Sequence, residues 1–194
     1  MAKVNGMQEK LHWPLYDAFR VSNGGQTFVN AMTDPRVIRF FVDIQNKTKL
    51  ETNLQAAGVL PSLNSYEARS MRVVCSGVKE TKPPAKDSTD ADFLYDLIYN
   101  SVTSLLVGEK IMIEVPTFWF PAGAGVSPGA ARISNHGEPD PMATFRFAEP
   151  VFIESQQNFR VEMSFPRGLG DLESFKGPFH IWVVLDGYLT RDVQ

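Results

Sequence analysis

The stretch FRFAEPVFIESQQNFRVEMSFP, residues 145–166, alternates apolar and polar side chains over most of its length. Successive side chains of a β-strand point to opposite faces, so this period of two predicts extended strands with one buried face. Pro150 has no backbone amide to donate to a central ladder, and we therefore expect it to divide the stretch into two strands. The stretch carries no catalytic or metal-binding motif, which indicates a role in packing rather than in chemistry.

The same period of two recurs along much of the chain. Further strands are predicted over residues 26–30, 37–44, 66–77, 109–120 and 177–194. Many of these residues are β-branched or aromatic and suit a pleated, half-buried surface. Near the end of the chain, Phe179, Ile181 and Val183 fall on one face of a strand and His180 falls on the other. Together with the opening stretch, these segments give about eight strands.

One amphipathic helix is predicted among the strands. After a charged linker over residues 79–90, apolar residues recur at spacings of one, three and four, as on one face of a helix. These residues are Phe93, Leu94, Leu97, Ile98, Val102, Leu105 and Leu106. Ser88, Thr89 or Asp90 can cap the start of the helix, and Gly108 can end it. We therefore predict a helix over about residues 90–107.

The order of these segments predicts a mainly β fold in one domain. Strands do not alternate regularly with helices, which favours an antiparallel β-sandwich or jelly roll over a doubly wound sheet. We expect residues 1–25 to form an N-terminal arm that is ordered only when a partner covers it. Residues 26–194 are then a single eight-stranded antiparallel jelly roll, with the helix near 90–107 inserted.

Composition narrows the classes of function. The chain has 194 residues and a formal net charge of −3, so it offers no net positive field to hold nucleic acid or an anionic membrane. It contains no apolar run long enough to cross a bilayer and no apolar leader, which predicts a soluble intracellular product. Its single cysteine, Cys75, lies in an apolar run and is expected to be a small buried hydrophobe.

One motif suggests a hydrolase. Residues 125–129, GVSPG, match the G-x-S-x-G nucleophile elbow, and Asp171 and His180 follow Ser127 in the order of a serine triad. The elbow, however, uses the backbone amide of the residue after the serine to hold the oxyanion, and Pro128 has no amide. We therefore interpret the segment as a Gly/Pro-rich surface loop.

Three other patterns also fall short of a binding or catalytic site. Residues 123–125, GAG, are followed by neither the third glycine nor the lysine of a phosphate-binding loop. The histidines lie far apart in sequence, without a metal-ligand spacing, at His12, His136 and His180; we expect the last to face solvent or lie at an edge. Glu149 and Glu154 are five residues apart, on opposite faces of an extended strand. We predict no catalytic residue, no cofactor and no metal.

Three segments carry a resemblance to a known family. They are RFFVDIQNKTKLETNLQAAGVLPSLNSYEARSMRVV (39–74), FAEPVFIESQQNFRVEMSF (147–165) and IWVVLDGYLTRDVQ (181–194). These are similar to the strands and turns of jelly-roll capsid proteins of tailless icosahedral bacteriophages with an internal membrane, and the resemblance covers about residues 37–194. Many such proteins fuse two barrels, whereas this length accommodates one, which leaves open whether the chain resembles a main, vertex or minor shell subunit.

The resemblance implies a non-catalytic virion protein that self-assembles into an icosahedral shell after synthesis in the host cytoplasm. Its implied partners are copies of itself and other capsid proteins, with membrane or genome at the inner face and no sequence-specific contact to nucleic acid. Two alternatives remain open. A carbohydrate-binding β-sandwich would use Trp119 with Phe118 and Phe120 as its aromatic platform, and a serine esterase would use Ser127.

Overall fold

A computed structural model describes residues 8–22, 25–75, 96–120 and 144–192 of the protein. The strands are β1 Gln8–His12, β2 Leu15–Val21, β3 Val37–Phe40, β4 Ser65–Cys75, β5 Val102–Val107, β6 Lys110–Pro116, β7 Phe145–Ile153, β8 Phe159–Ser164 and β9 Phe179–Asp192. The helical segments are α1 Phe28–Ala31, residues 96–99, and two 3-10 turns, Thr117–Trp119 and Gly170–Ser174. The chain is therefore mainly β, as predicted.

The strands form two antiparallel sheets. In the five-stranded sheet, β1 and β2 both pair with β9, which pairs with β4, which pairs with β7. The four-stranded sheet has the order β3-β8-β5-β6. Every pairing between strands is antiparallel, so the predicted antiparallel architecture is confirmed.

Alternate strand residues supply the core. On β9, Phe179, Ile181, Val183 and Leu185 are buried and alternate with partly exposed residues, as the period of two predicts. The largest fully buried side chains belong to one hydrophobic cluster: Tyr66, Phe28, Phe40, Phe41, Phe120, Phe159, Phe165, Phe179, Leu60, Met71 and Leu97. Residues from both sheets contribute to this cluster, so the two sheets share a single core.

The segment expected to be an arm is partly a component of the sheet. β1 pairs with the second half of β9, from Tyr188 to Asp192, and β2 pairs with the first half, from Phe179 to Leu185. Leu15 and Val21 are buried in the core on the inward side of β2. Over residues 8–21 the expectation of an arm that needs a partner is therefore corrected, because the chain's own β9 supplies the hydrogen bonds.

The opening stretch forms β7 and β8, but the chain does not divide at Pro150. That residue lies within β7, and the break falls at residues 154–158, where Gln156 adopts φ 61°. Among the described strands, β7 lies at the edge of its sheet and pairs with β4 alone, with a register shift beside Pro150. A proline at an irregular edge costs no ladder hydrogen bond, which explains why the strand tolerates it.

The predicted helix over residues 90–107 is largely wrong. Residues 96–99 are helical, but Val102–Val107 is the strand β5, and residues 90–95 lie outside the described residues. Strand β5 lies between β8 and β6, and side chains on both of its faces are buried, including the consecutive apolar residues Leu105 and Leu106. That run imitates the spacing of a helix. No helix within the described ranges is long and apolar enough to cross a membrane.

Two short predicted strands also differ from the structure. Residues 28–30 of the predicted strand 26–30 belong instead to the single-turn helix α1, Phe28–Ala31. The strand predicted over residues 37–44 stops at Phe40, because Phe41 adopts a left-handed φ of 69° that ends the extended conformation.

The thiol of Cys75 should be unreactive in the folded protein. The side chain is buried at the end of β4, and burial raises the pKa of the thiol to about 12, so almost no thiolate exists at pH 7. We expect no reaction with a disulfide reagent such as 5,5′-dithiobis(2-nitrobenzoic acid) in native buffer. One thiol per chain should react in guanidinium chloride. Rapid labelling of the native protein would contradict this burial.

Candidate functional site

Most residues of the predicted hydrolase motif lie outside the described residues. This applies to Ser127, Pro128 and the 123–125 segment, and also to His136. Asp171 lies on the 3-10 turn Gly170–Ser174. The alternative of a serine esterase that uses Ser127 is therefore not tested by the described residues.

His180 lies on the outward side of β9, and its environment differs from the expected one. Its strand is flanked by β2 and β4, so His180 is not at an edge. The ring is partly buried and stacks on Trp182, with centroids 5.1 Å apart. Its Nε2 atom lies 4.0 Å from Oε1 of Glu51. Burial lowers the pKa of His180 and outweighs the opposing effect of Glu51, so the ring is neutral at pH 7.

A loop covers the outer edge of β2 and explains this burial. We call this loop, residues 46–54, the edge loop. Its Asn53 amide donates a hydrogen bond to the Tyr16 carbonyl at 3.3 Å, and the Tyr16 amide donates to the side-chain oxygen of Asn53 at 3.0 Å. Trp182 donates its indole N–H to the Leu50 carbonyl at 2.9 Å. The loop thereby satisfies backbone groups that an edge strand would otherwise expose.

A buried ion pair anchors the edge loop. Asp17 is fully buried, and both of its carboxylate oxygens accept hydrogen bonds from Nζ of Lys47, at 2.9 and 2.8 Å. The Phe41 amide donates to the same carboxylate at 2.7 Å. Burial raises the pKa of Asp17, and the attraction of Lys47 offsets only part of that effect. A charged residue at an inward position between Leu15 and Val21 was the sequence signal for this pair.

A second carboxylate, Glu51, ties the loop to β2 and β9. It accepts hydrogen bonds from the Thr48 amide at 2.7 Å and the Thr48 hydroxyl at 3.0 Å, and Arg20 approaches within 3.3 Å. Burial raises the pKa of Glu51, but the hydrogen bonds from Thr48, the charge of Arg20 and, in acid, the charge of protonated His180 outweigh it, so the pKa lies below its usual value. Sequence reasoning did not find this residue.

The contribution of Glu51 to stability should depend on pH. Its pKa is lower in the folded than in the unfolded chain, so its contribution is present above the unfolded value of about 4.5 and is lost as pH falls through the folded value. We expect Glu51→Gln to lower the free energy of unfolding by about 2 kcal/mol at pH 7. The difference should shrink below about pH 4, measured by urea unfolding at both pH values. Glu173→Gln, at an exposed carboxyl, is the control, and an equal loss at both pH values would contradict the assignment.

A groove lies between β2 and β3, beside the edge loop. This β2–β3 groove has a volume of about 380 Å³. Phe19, Met32 and Ile38 contribute apolar surface to it, and Arg20 and Arg39 line it with their charged groups. Val42, an exposed apolar residue just beyond β3, also lines it. The groove thus combines apolar and charged residues, as surfaces that bind other proteins also do.

Strand β6, at the opposite side of the sandwich, exposes apolar side chains. Ile111 and Met112, here called the β6 ridge, are 52% and 37% exposed. Glu109 and Glu114 flank them and are also exposed. β6 is the last strand of the four-stranded sheet, so within the described residues no strand pairs with its outer edge.

An aromatic row lies near the end of β6. Tyr99 stacks on Phe118 with centroids 5.6 Å apart, and Trp119 lies 6.3 Å from Phe118; all three are exposed. Of the cluster predicted from sequence, Phe118 and Trp119 are accessible, whereas Phe120 is buried in the core. The row presents large apolar surface of the kind found in protein and sugar contacts.

The described residues contain no group of three or more His, Cys, Asp or Glu side chains that could hold a metal ion. His12 lies on β1 with its ring 5.8 Å from Tyr188, far along β9 from His180. No family model, curated protein or solved structure matches the chain.

Proposed function

We propose that the chain is a non-catalytic structural virion protein, a capsid subunit that assembles with copies of itself into an icosahedral shell. The observation that carries this proposal is the order of the strands. One sheet has the order β2-β9-β4-β7 and the other has β3-β8-β5-β6. The sequence resemblance to jelly-roll capsid proteins of tailless icosahedral bacteriophages points to the same class.

The strand order supports an eight-stranded jelly roll. β1 and β2 pair with successive parts of β9 and count as one strand interrupted at residues 13–14, which leaves eight strands. Consecutive strands from β2 to β9 lie in different sheets at every step except from β5 to β6. Each sheet therefore contains four of the eight strands. This arrangement of two interleaved Greek keys is used by viral capsid domains, and also by lectins and cupins.

The surfaces of the sandwich suit an assembling subunit. Its lateral sides carry the β2–β3 groove and the β6 ridge, and exposed apolar residues on a folded domain mark sites of association. The proposed partners are copies of the chain and other capsid proteins, with lipid or genome at the inner face and the virion as the location. The formal charge of −3 provides no net positive field to attract nucleic acid, and we propose no sequence-specific contact to it.

Native mass spectrometry and negative-stain electron microscopy of the purified protein test this proposal. We expect discrete rings or shells that grow in population with protein concentration, as closed rotational assemblies do. A strictly monomeric protein at millimolar concentration would contradict it.

A carbohydrate-binding module is a second candidate, supported by the exposed row of Tyr99, Phe118 and Trp119. Aromatic side chains provide apolar faces on which sugar rings can stack. A glycan array probed with the wild-type protein and with Trp119→Ala separates the candidates. Binding that the substitution abolishes would favour the sugar-binding function.

A further inference from the structure

We infer that copies of this chain associate head to tail, with the β6 ridge of one copy seated in the β2–β3 groove of the next. The inference rests on the proposed self-assembly and names the surfaces that carry it. The two surfaces are the apolar pair Ile111 and Met112 and the groove lined by Phe19, Ile38 and Val42.

The two surfaces lie on opposite sides of the same molecule. β3 is one end of the four-stranded sheet and β6 is the other. β2, which forms the other wall of the groove, is likewise at the opposite end of its sheet from β7. A copy placed alongside another in the same orientation therefore brings ridge and groove together. Because all neighbours in the sheet are antiparallel, β6 and the next copy's β3 also run antiparallel.

The strand registers place both surfaces at the same end of the four-stranded sheet. The row Phe40–Val161–Leu105–Ile113 crosses the four-stranded sheet from β3 to β6. Val42 follows the left-handed Phe41 just past the end of β3, and Ile111 lies near the start of β6, so both are at the same end of the four-stranded sheet. Side-by-side copies thus bring the exposed Ile111 next to the exposed Val42, apolar surface against apolar surface.

The next row of paired residues across the four-stranded sheet places opposite charges at its two ends. Arg39, Glu162, Ser104 and Glu114 form a row across the outer face of the same sheet. Arg39 lies within 3.5 Å of Glu162, so its charge alternates with that of its neighbour. Lateral packing places Glu114 of one copy, which also accepts a hydrogen bond from Ser104, opposite Arg39 of the next copy. Arg39 already contacts Asp34 at 3.4 Å as well as Glu162, but its half-exposed guanidinium has five N–H donors and can also donate to a third carboxylate.

The contact is made by side chains rather than by a continuous sheet. Between Leu105 and Leu106 the register of β5 against β6 shifts, so Met112 has no partner on β5. A bulge of this kind twists an edge strand and hinders pairing with another strand. A contact between two different surfaces closes into a ring when its rotation allows, which suits a shell subunit.

Two substitutions, one on each surface, test the inference. Met112→Asp disables the ridge and Val42→Asp disables the groove, because each buries a carboxylate in an apolar contact. We expect each variant alone to associate at least ten-fold more weakly than the wild type in sedimentation velocity. A one-to-one mixture should form a heterodimer, in which the intact ridge of Val42→Asp meets the intact groove of Met112→Asp. Formation of that dimer also demonstrates that both variants fold.

The control is Leu63→Asp, at an exposed loop residue with φ 68°, which should assemble as the wild type does. If the wild type assembles and either single variant assembles equally well, the ridge–groove contact is wrong while self-assembly stands. A mixture that stays monomeric would also overturn the head-to-tail contact. A monomeric wild type would overturn both the contact and the proposed function.

Discussion

Asp17→Ala is expected to lower the free energy of unfolding by about 3–5 kcal/mol, because it removes one partner from a buried ion pair. The Lys47 ammonium, whose side chain is only 18% exposed, would then lack its carboxylate. The Phe41 amide would lose the acceptor that lies 2.7 Å away. Urea unfolding at pH 7, followed by tryptophan fluorescence and circular dichroism, measures the loss.

Related variants separate charge from hydrogen bonding at this site. Asp17→Asn retains an acceptor for the Phe41 amide and should lose less stability than Asp17→Ala. Replacing both partners, as in Asp17→Leu with Lys47→Met, should recover much of the loss, since no buried charge remains. Glu9→Gln, in an exposed pair with Arg191, should change stability by less than about 1 kcal/mol. Unchanged stability of Asp17→Ala would show that the pair contributes nothing.

The two buried carboxylates should respond to pH in opposite directions. The pKa of Asp17 is raised in the folded chain, so protonation favours the fold and its contribution increases as pH falls toward the unfolded value. Glu51 has a lowered pKa and loses its contribution in acid. His180, with a lowered pKa, also favours unfolding once pH falls below about 6.5. We therefore expect any loss of stability of the edge loop in acid to come from protonation of Glu51 and His180.

This anchoring bears on the proposed assembly. Lys47 and Glu51 belong to the edge loop and also line the β2–β3 groove. A variant that releases Lys47 from Asp17 should therefore disturb the wall of the groove as well as the stability of the domain. Sedimentation of Asp17→Asn, at a temperature where it remains folded, connects the two effects.

Much of the sheet could be predicted from sequence wherever a strand has one buried face. On β9 the alternation of Phe179, Ile181 and Val183 with more exposed residues identifies both the strand and its inward face. On β4 the same reasoning holds for Met71 and Val73, although the register shift between Ala68 and Ser70 also buries residues of the other parity. Local period and fold agree in these strands because one face of each strand packs against the core between the two sheets and the other face does not.

Prediction from sequence was wrong where a strand is buried on both faces and where the outcome depends on which strand lies at the edge of a sheet. Leu105 and Leu106 are consecutive and both buried, so a strand covered on both faces was mistaken for a helix. Pro150 was taken as a break because its position at a sheet edge depends on the order of the strands. Asp17 and Lys47 are 30 residues apart, and only the folded loop brings them together. The groove and the ridge likewise follow from strand order, which no local pattern contains.

Gly187→Ala should be the most damaging small substitution in the five-stranded sheet. A Cβ atom at this position would lie 2.0 Å from the carbonyl oxygen of Glu67 and 3.0 Å from Cα of Ala68. Both atoms belong to the backbone of β4, so no side chain can rotate away and the two central strands must separate. We expect a loss of more than about 4 kcal/mol, beyond the usual range for added volume in a core. Urea unfolding and the yield of soluble protein measure it.

The position of Gly187 explains why the strands cannot separate at small cost. It lies opposite residues 13–14, where β1 gives way to β2, and its carbonyl accepts the Trp13 amide at 3.1 Å. On its other side, Gly187 pairs with Ala68, next to the register shift of β4. A displacement of β9 would therefore disturb the ladders on both sides. Gly108→Ala is the matched control, because a Cβ there meets nothing within 4 Å and only its φ of 60° is strained, which costs about 1–2 kcal/mol. Equal losses in the two variants would indicate that the spacing of β4 and β9 adjusts freely and that Gly187 is not required for their close approach.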